Sequence, residues 1–219
     1  GRNGRGKTNI IEAVNYFAVL GSHRVATDAP LIQHGHETAR VEATFERAGR
    51  SAQLAVDIIA GRTNRLWVNG AALSRPRDVL GIVQTVVFAP EDLDLVKGDP
   101  AVRRRYVDDF SVAMTPRIAS TRADVERVLR QRNALLKSVG RRTLTAEARD
   151  SLDAWNEQFV LHSSRLIHTR LQSLARLAPW IAEHGDTMSG AAEPLTVEYS
   201  SSWLDSSATT EDEIAQQLR

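Results

Sequence analysis

The sequence predicts an α/β protein in which a compact head with an antiparallel β meander carries an α-helical hairpin arm. Three observations predict this architecture. The chain opens on a glycine-rich, phosphate-binding pattern that runs directly into an amphipathic helix. Alternating apolar and polar residues follow, as in half-buried strands. The second half of the chain keeps its apolar residues at helical spacing over long stretches.

The composition is that of an ordinary globular protein, and it excludes several classes of site. Of the 219 residues, 42% are apolar and 25% are charged, and 28 basic residues nearly balance 27 acidic ones. Any nucleic-acid surface would therefore be local. The lack of cysteine excludes disulfides, cysteine nucleophiles and thiolate metal ligands. No apolar run reaches the roughly 18 residues of a membrane span, so we expect a cytoplasmic protein without a membrane partner.

The first predicted element is a helix. Its apolar residues recur at helical steps: Ile10, Ile11, Val14, Phe17 and Ala18. Glycine is the usual residue for the left-handed conformation that ends a helix, and Gly21 follows the last apolar position. We therefore expect Gly21 to be the C-terminal cap.

The β meander is predicted from the switch to strict alternation at Ala39. Residues 39 to 46 place apolar side chains on one face and polar side chains on the other. A turn at residues 47–50 leads into a second alternating stretch through Ile58. A third strand is predicted at residues 65–68, followed by the turn signal Asn69-Gly70.

Two more strands and the arm complete the prediction. The β-branched and aromatic run 85–88 is typical of a strand covered on both faces, and the alternation in 195–199 predicts another strand. Helix starts are predicted at Asp99-Pro100, Thr115-Pro116 and Thr210.

The arm itself is predicted from two long helical stretches. The first runs from Pro116 to Val139 and is broken by Gly140. The second runs from Thr145 to about Ala178 and would be roughly 50 Å long. Two such helices joined by a short turn form a hairpin.

The opening pattern fits G-x-x-x-x-G-K-[ST] through Gly1, Gly6, Lys7 and Thr8, with an extra glycine at Gly4. Glycines let successive backbone amides turn toward the β- and γ-phosphates, and Lys7 supplies a positive charge to them. The Thr8 hydroxyl suits Mg²⁺. The pattern predicts a P-loop NTPase, and by itself it leaves the function open.

Further motifs narrow the family. The loop is followed by Ile11-Glu12-Ala13, and the more specific segments are Leu20-Gly21-Ser22-His23-Arg24, Val68-Asn69-Gly70, Val87-Phe88-Ala89-Pro90-Glu91-Asp92-Leu93, Val96-Lys97-Gly98-Asp99-Pro100 and Arg103-Arg104. The chain resembles the RecF family of recombination-repair ATPases along its whole length. Related SMC-type ATPases share the loop but not the later segments.

This resemblance implies an ABC-type ATPase head at residues 1–110, a helical arm at 111–190 and a return of 191–219 into the head. It also implies one ATP-binding set with Thr8 as the Mg²⁺ ligand: Gly1, Arg2, Asn3, Gly4, Arg5, Gly6, Lys7, Thr8 and Asn9. The implied partners are single-stranded and gapped double-stranded DNA, a RecR-type mediator protein and a second copy in an ATP-dependent homodimer. The implied role is loading of a recombinase, with weak ATP hydrolysis acting as a release switch.

The sequence also departs from the family pattern. It begins inside the loop at Gly1, where a strand is expected upstream, and it has neither a Walker B acid run nor a serine-glycine signature loop. Asp108-Asp109 follows three arginines and is better explained as a helix face. We assign no catalytic residue, and we expect this stretch alone not to turn over ATP.

Other interpretations stay open. An SMC-like ATPase would carry a far longer coiled coil, a transporter cassette would usually have glutamine where Ala89-Pro90 stands, and an interaction module would not need ATP. The run 103–105 suits DNA contact or a solvated helix face. Glu91 suits γ-phosphate sensing or a first-turn helix acid. His34 and His36 have no third metal ligand at a recognisable spacing, which favours a loop.

Overall fold

The computed structural model describes residues 6–22, 24–25, 27–140, 143–189, 195–205 and 207–219. It divides into two compact units, Gly1–Pro116 and Arg117–Arg219. The first unit contains a helix, a β meander and two further helices. The second contains two long helices and a short C-terminal one. No helix of the described part is long and apolar enough to cross a membrane.

Helix α1 spans Lys7–Val19, as its apolar spacing predicts. The expectation that Gly21 caps it is wrong, because Leu20 takes the left-handed position with φ 52° and donates its amide to the Tyr16 carbonyl. A left-handed leucine costs about 1–2 kcal/mol. The Leu20 side chain packs against the core, which offsets that cost, whereas glycine has no side chain to pack there.

The sheet of the first unit is an antiparallel meander in the order β1-β2-β3-β4. Its strands are β1 Thr38–Arg47, β2 Arg50–Ile59, β3 Arg65–Val68 and β4 Ala71–Ala72. The three predicted strands are confirmed, and a two-residue fourth strand extends them. Both central residues of the tight turns have positive φ: 50° and 73° at Ala48-Gly49, and 50° and 81° at Asn69-Gly70. Such turns match the twist of the flanking strands.

The core of this unit lies between α1 and one face of the sheet. Alternation sends the apolar side chains of β1 and β2 inward, where Phe17 of α1 meets Phe45 of β1 edge to face at 5.7 Å between ring centres. Its buried members are Tyr16, Phe17, Leu54, Val56, Ile58, Leu66, Val79 and Val83. Each large apolar side chain buried here contributes about 1.5–3 kcal/mol, so this contact fixes α1 on the meander.

The strand predicted at residues 85–88 is wrong. This segment has no regular secondary structure and no strand partner among the described residues, and Val86 and Phe88 are 100% and 92% exposed. Hydrogen bonds hold its two ends: the Thr85 hydroxyl donates to Asn15 at 2.7 Å, and the Ala89 amide donates to Asp92 at 2.7 Å. Composition favoured a buried strand, but pairing depends on a neighbour that composition does not specify.

The rest of the first unit is helical. A short 3₁₀ helix at Pro90–Leu93 leads into helix α2, Asp94–Lys97, and then into helix α3, Pro100–Met114. Helix α3 begins with Asp99 at the N-cap and proline at the first position, as the sequence predicts.

The second unit contains the predicted helical hairpin. Helix α4 spans Ile118–Val139 and stops at Gly140, whose φ of 57° and ψ of −126° end the helix. Helix α5 spans Ala146–Ser189, 44 residues or about 66 Å. The helix continues past the predicted end near Ala178, and Pro179 lies within it.

The C-terminal segment does not form the strand predicted at residues 195–199. It has no regular secondary structure and no strand partner among the described residues, and Leu195 lies against the Gly185 backbone of α5. Helix α6, Glu211–Leu218, starts at Thr210 as predicted, with a capping box in which Thr210 and Glu213 bond each other's backbone amides. Buried Ile214 packs α6 on α5 near Ile167. The boundaries 1–110, 111–190 and 191–219 stay a prediction.

We predict that Gly70→Ala destabilises the first unit by about 1 kcal/mol, because an L side chain at φ 81° is strained even though open space surrounds it. Gly21→Ala is the matched control: its φ is not positive, and a Cβ there would meet only the Arg105 guanidinium at 3.9 Å. Urea unfolding of both variants measures the difference. Equal free energies of unfolding would contradict the turn assignment.

Candidate functional site

The start of helix α1 carries the described part of the phosphate-binding pattern. Gly6 is the N-cap in the left-handed conformation, with φ 76°, and its carbonyl accepts the Ile10 amide at 3.2 Å. Lys7, Thr8 and Asn9 form the exposed first turn. Five of the predicted binding residues lie outside the described residues: Gly1, Arg2, Asn3, Gly4 and Arg5.

This helix start has the properties of an anion site. The amides of the first turn have no carbonyl four residues earlier in the helix, and they carry the positive end of its dipole. The first turn has no acidic residue that would neutralise it. At Gly6 a Cβ would meet nothing within 4 Å, so the glycine is required by its backbone conformation rather than by crowding.

Three polar side chains on α1 face inward, which its apolar pattern did not predict. Glu12, Asn15 and Tyr16 are 8%, 7% and 2% exposed, and their spacing places them on one face of the helix. Buried polar groups need hydrogen-bond partners, and each of these has one in a different segment. The sequence could have indicated their burial, because helical spacing places them on the same side of α1 as the core residue Phe17.

Tyr16 joins α1 to two loops. Its hydroxyl donates to Asp28 at 2.8 Å and accepts from the Asn64 amide at 2.7 Å, and Asn64 also donates to Asp28 at 2.6 Å. The Asn64 side-chain oxygen accepts the Ile59 amide at the end of β2. Burial, followed by the hydrogen bond and the charge of Asp28, raises the pKa of Tyr16 well above its usual value, and the Asn64 bond opposes this.

Glu12 joins α1 to the segment that follows the helix. Its carboxylate accepts the hydroxyl proton of Ser22 and a bond from the Arg24 guanidinium at 3.3 Å. The same hydroxyl oxygen accepts the backbone amides of Arg24 at 2.9 Å and Val25 at 3.2 Å. On the other side, Arg105 of α3 donates to the Ser22 carbonyl at 3.2 Å.

The run 87–93, one of the segments that resemble the family, contains a local turn. Asp92 accepts the Ala89 amide through its carboxylate and donates its own amide to the Ala89 carbonyl at 3.0 Å. This pair of bonds fixes the start of the 3₁₀ helix that contains Glu91. The Glu91 side chain lies outside the described residues, so its proposed role at the γ-phosphate stays a prediction.

Two of the three arginines in the run 103–105 of α3 donate hydrogen bonds to backbone carbonyls. Arg103 donates to the Leu95 and Gly98 carbonyls at 3.3 and 2.9 Å and thereby caps the end of α2. Arg105 binds the Ser22 carbonyl and pairs with Asp109 at 3.7 Å. The predicted DNA contact of this run therefore falls mainly to Arg104 and stays a prediction.

No group of three acidic, histidine or cysteine side chains suited to a metal ion occurs among the described residues. Thr8 as a Mg²⁺ ligand stays a prediction, since a P-loop hydroxyl holds this ion together with the nucleotide phosphates rather than in a protein cage. Asp108 and Asp109 lie on helix α3, as expected of a helix face.

Comparison with known proteins gives consistent matches. The chain is 47% identical over 201 residues to DNA replication and repair protein RecF of Acidothermus cellulolyticus, and 48% identical over 203 residues to that of Kineococcus radiotolerans. Each alignment covers 92% of this chain. The chain spans only about half the length of these relatives, 54% and 52%. No family model matches the chain.

The fold matches solved structures closely. A structure described as the recombination mediator protein RecF-ATPrS in the RecFOR pathway superposes with a TM-score of 0.87 at 23% identity, covering 99% of this chain and 57% of that one. A second, described as RecF-ATP in the same pathway, gives the same values. The similarity confirms a P-loop, ABC-ATPase-like fold.

We predict that Tyr16→Phe changes how stability depends on pH. Because the folded state keeps this phenol protonated, the stabilisation is complete below the unfolded tyrosine pKa of about 10 and is lost as pH rises above it. The free energy of unfolding of the variant should be about 1 kcal/mol lower at neutral pH. Above pH ~10 it should decrease less steeply with pH than that of the parent protein. Urea unfolding from neutral to alkaline pH measures this, with exposed Tyr106→Phe as control. Parallel curves for Tyr16→Phe and the parent would contradict it.

Proposed function

This chain belongs to the RecF family, and we propose that the protein acts in DNA replication and recombinational repair as an ATP-dependent, dimerising DNA-binding protein. The observation that carries the proposal is the left-handed Gly6 at the N-cap of α1, followed at once by Lys7 and Thr8. The strong similarity to RecF relatives over 92% of the chain supports the biological role.

The chemistry of the site follows from these residues. The first-turn amides and the Lys7 ammonium suit the β- and γ-phosphates of ATP, and the Thr8 hydroxyl suits an ion such as Mg²⁺ that bridges them. Gly1 to Arg5 and Asn9 complete the proposed binding set. None of these groups is a general base, so binding, rather than hydrolysis, is the function proposed for this site.

The proposed response to ATP binding is the formation of a homodimer. An ABC-type head holds ATP on one face and is completed by a second head, so that nucleotide binding favours a homodimer. We propose that this dimer holds DNA at single-strand gaps in the cytoplasm and acts with a RecR-type mediator to load the recombinase. The solved structures of similar fold are described as a recombination mediator in the RecFOR pathway, which supports this role.

We predict that Lys7→Ala in the intact protein abolishes ATP-dependent dimerisation, because the phosphates lose their point charge. Lys137→Ala removes the same charge from the exposed surface of α4 and serves as the control. Light scattering with and without ATP and Mg²⁺ measures the mass. Dimerisation of Lys7→Ala equal to that of Lys137→Ala would count against the mechanism.

A second prediction concerns DNA. In the intact protein, ATP should lower the dissociation constant for a gapped duplex, and Lys7→Ala should lose that gain while keeping its ATP-independent binding. Fluorescence anisotropy at one fixed salt concentration measures this, since phosphate contacts depend steeply on salt. Identical affinities with and without ATP for the parent protein would argue against an ATP-dependent clamp.

A further inference from the structure

Helix α1 has a second apolar face, which the described residues cover only in part. Ile11 and Val14 lie three residues apart on one side of the helix and are 55% and 37% exposed, whereas Phe17 is fully buried. From residue 10 to residue 20 the only charged residue is Glu12, and it is buried. The exposed face is therefore apolar, unlike the polar outer face of an ordinary surface helix.

The segment that begins at Val86 borders this face. Asn15 lies one turn after Ile11 on the helix, and it accepts the Thr85 hydroxyl at 2.7 Å. Val86 follows directly, so that its Cα lies about 3.8 Å from that of Thr85. Val86 and Phe88 are 100% and 92% exposed. We call these apolar side chains together the uncovered surface: Ile11, Val14, Val86 and Phe88.

The uncovered surface has the chemistry of a protein contact. DNA binding depends on basic side chains at the phosphates, and neither residues 10–20 nor residues 85–90 contain lysine or arginine. An aromatic ring such as that of Phe88 presents about 150–250 Å² of surface, and large exposed apolar patches mark contacts with other protein surfaces. The occupant that fits is therefore an apolar protein surface.

The lengths of the relatives indicate where this apolar surface comes from. This chain spans 54% and 52% of two relatives and 57% of a solved structure of similar fold, so these proteins carry nearly as much polypeptide again. A second copy fits less well, because the proposed homodimer needs ATP and would leave the surface in water without it. A segment of the same polypeptide is present at a high local concentration at all times.

We propose that the uncovered surface is the docking site for the part of the intact protein that lies outside these 219 residues, with or without ATP. The proposal goes beyond the proposed function, because it concerns how the head is completed rather than what it binds. Docking there holds α1 between two apolar contacts: the meander on the Phe17 side and the rest of the protein on the Ile11 side.

Thiol labelling of the intact protein tests the docking. This chain has no cysteine, so Val86→Cys and the control Lys137→Cys, on the exposed surface of α4, each add one thiol to it. Peptide mass spectrometry measures the labelling rate of each thiol with a polar maleimide, in the absence of ATP and DNA. We expect Val86→Cys to react at least about tenfold more slowly than Lys137→Cys, because a docked surface admits the reagent only when it opens.

A matched pair of second substitutions tests the contribution of the helix face. Ile11→Ala and Leu161→Ala are each added to the Val86→Cys protein, since the two side chains are similarly exposed in this structure, at 55% and 53%. Ile11→Ala removes part of the docked contact and should speed the labelling at least about tenfold. Leu161→Ala on α5 lies outside the uncovered surface and should leave the rate unchanged.

Several outcomes would overturn the proposal. These are equal labelling of Val86→Cys and Lys137→Cys, protection of Val86→Cys that requires ATP, DNA or a high protein concentration, or equal effects of Ile11→Ala and Leu161→Ala. If Ile11→Ala does not fold by circular dichroism, the rate of Val86→Cys alone decides. Loss of ATP-dependent dimerisation in the parent protein would instead remove the proposed function and leave the docking result intact.

Discussion

The head depends on burial of one face of helix α1. Phe17 and Tyr16 lie in the core against the meander, and this apolar contact sets the position of the helix. Since the residues that we propose to bind phosphate form the first turn of the same helix, their direction follows from that packing. Without it, a helix of 13 residues would be marginally stable in water, and its N-terminal amides would have no fixed direction.

Polar contacts complete what the apolar contact begins. Glu12, Asn15 and Tyr16 each bind a different segment, so one face of α1 is tied to three segments by bonds that have strict geometry. Apolar packing tolerates small shifts, whereas a buried polar group that loses its partner costs about 1–3 kcal/mol. This combination suits a helix whose end must meet a ligand at hydrogen-bond distance.

Charge is used locally in this protein. The chain is nearly neutral overall, with a formal net charge of +1, and two of three consecutive arginines on α3 bind carbonyl groups of the fold. Arg24 pairs with the Glu12 carboxylate of α1 at 3.3 Å, and its side chain is 43% exposed. This chain spans about half the length of the relatives that it matches. The activity and the partners of the whole protein are therefore proposals that rest on this part.

The sequence by itself determined the phosphate-binding pattern, the family, the meander and the hairpin arm, because these depend on local spacing: residues two apart for strands, three and four apart for helices, and glycine where φ is positive. It misplaced the cap at Gly21, the strands at 85–88 and 195–199, and the end of α5. The first three depend on contacts between distant parts of the chain. Leu20 packs against the core, Val86 lacks a neighbouring strand among the described residues, and Leu195 lies against α5. Only the tertiary structure brought Glu12, Ser22 and Arg24 together, since a hydrogen bond between segments leaves no periodic trace in the chain.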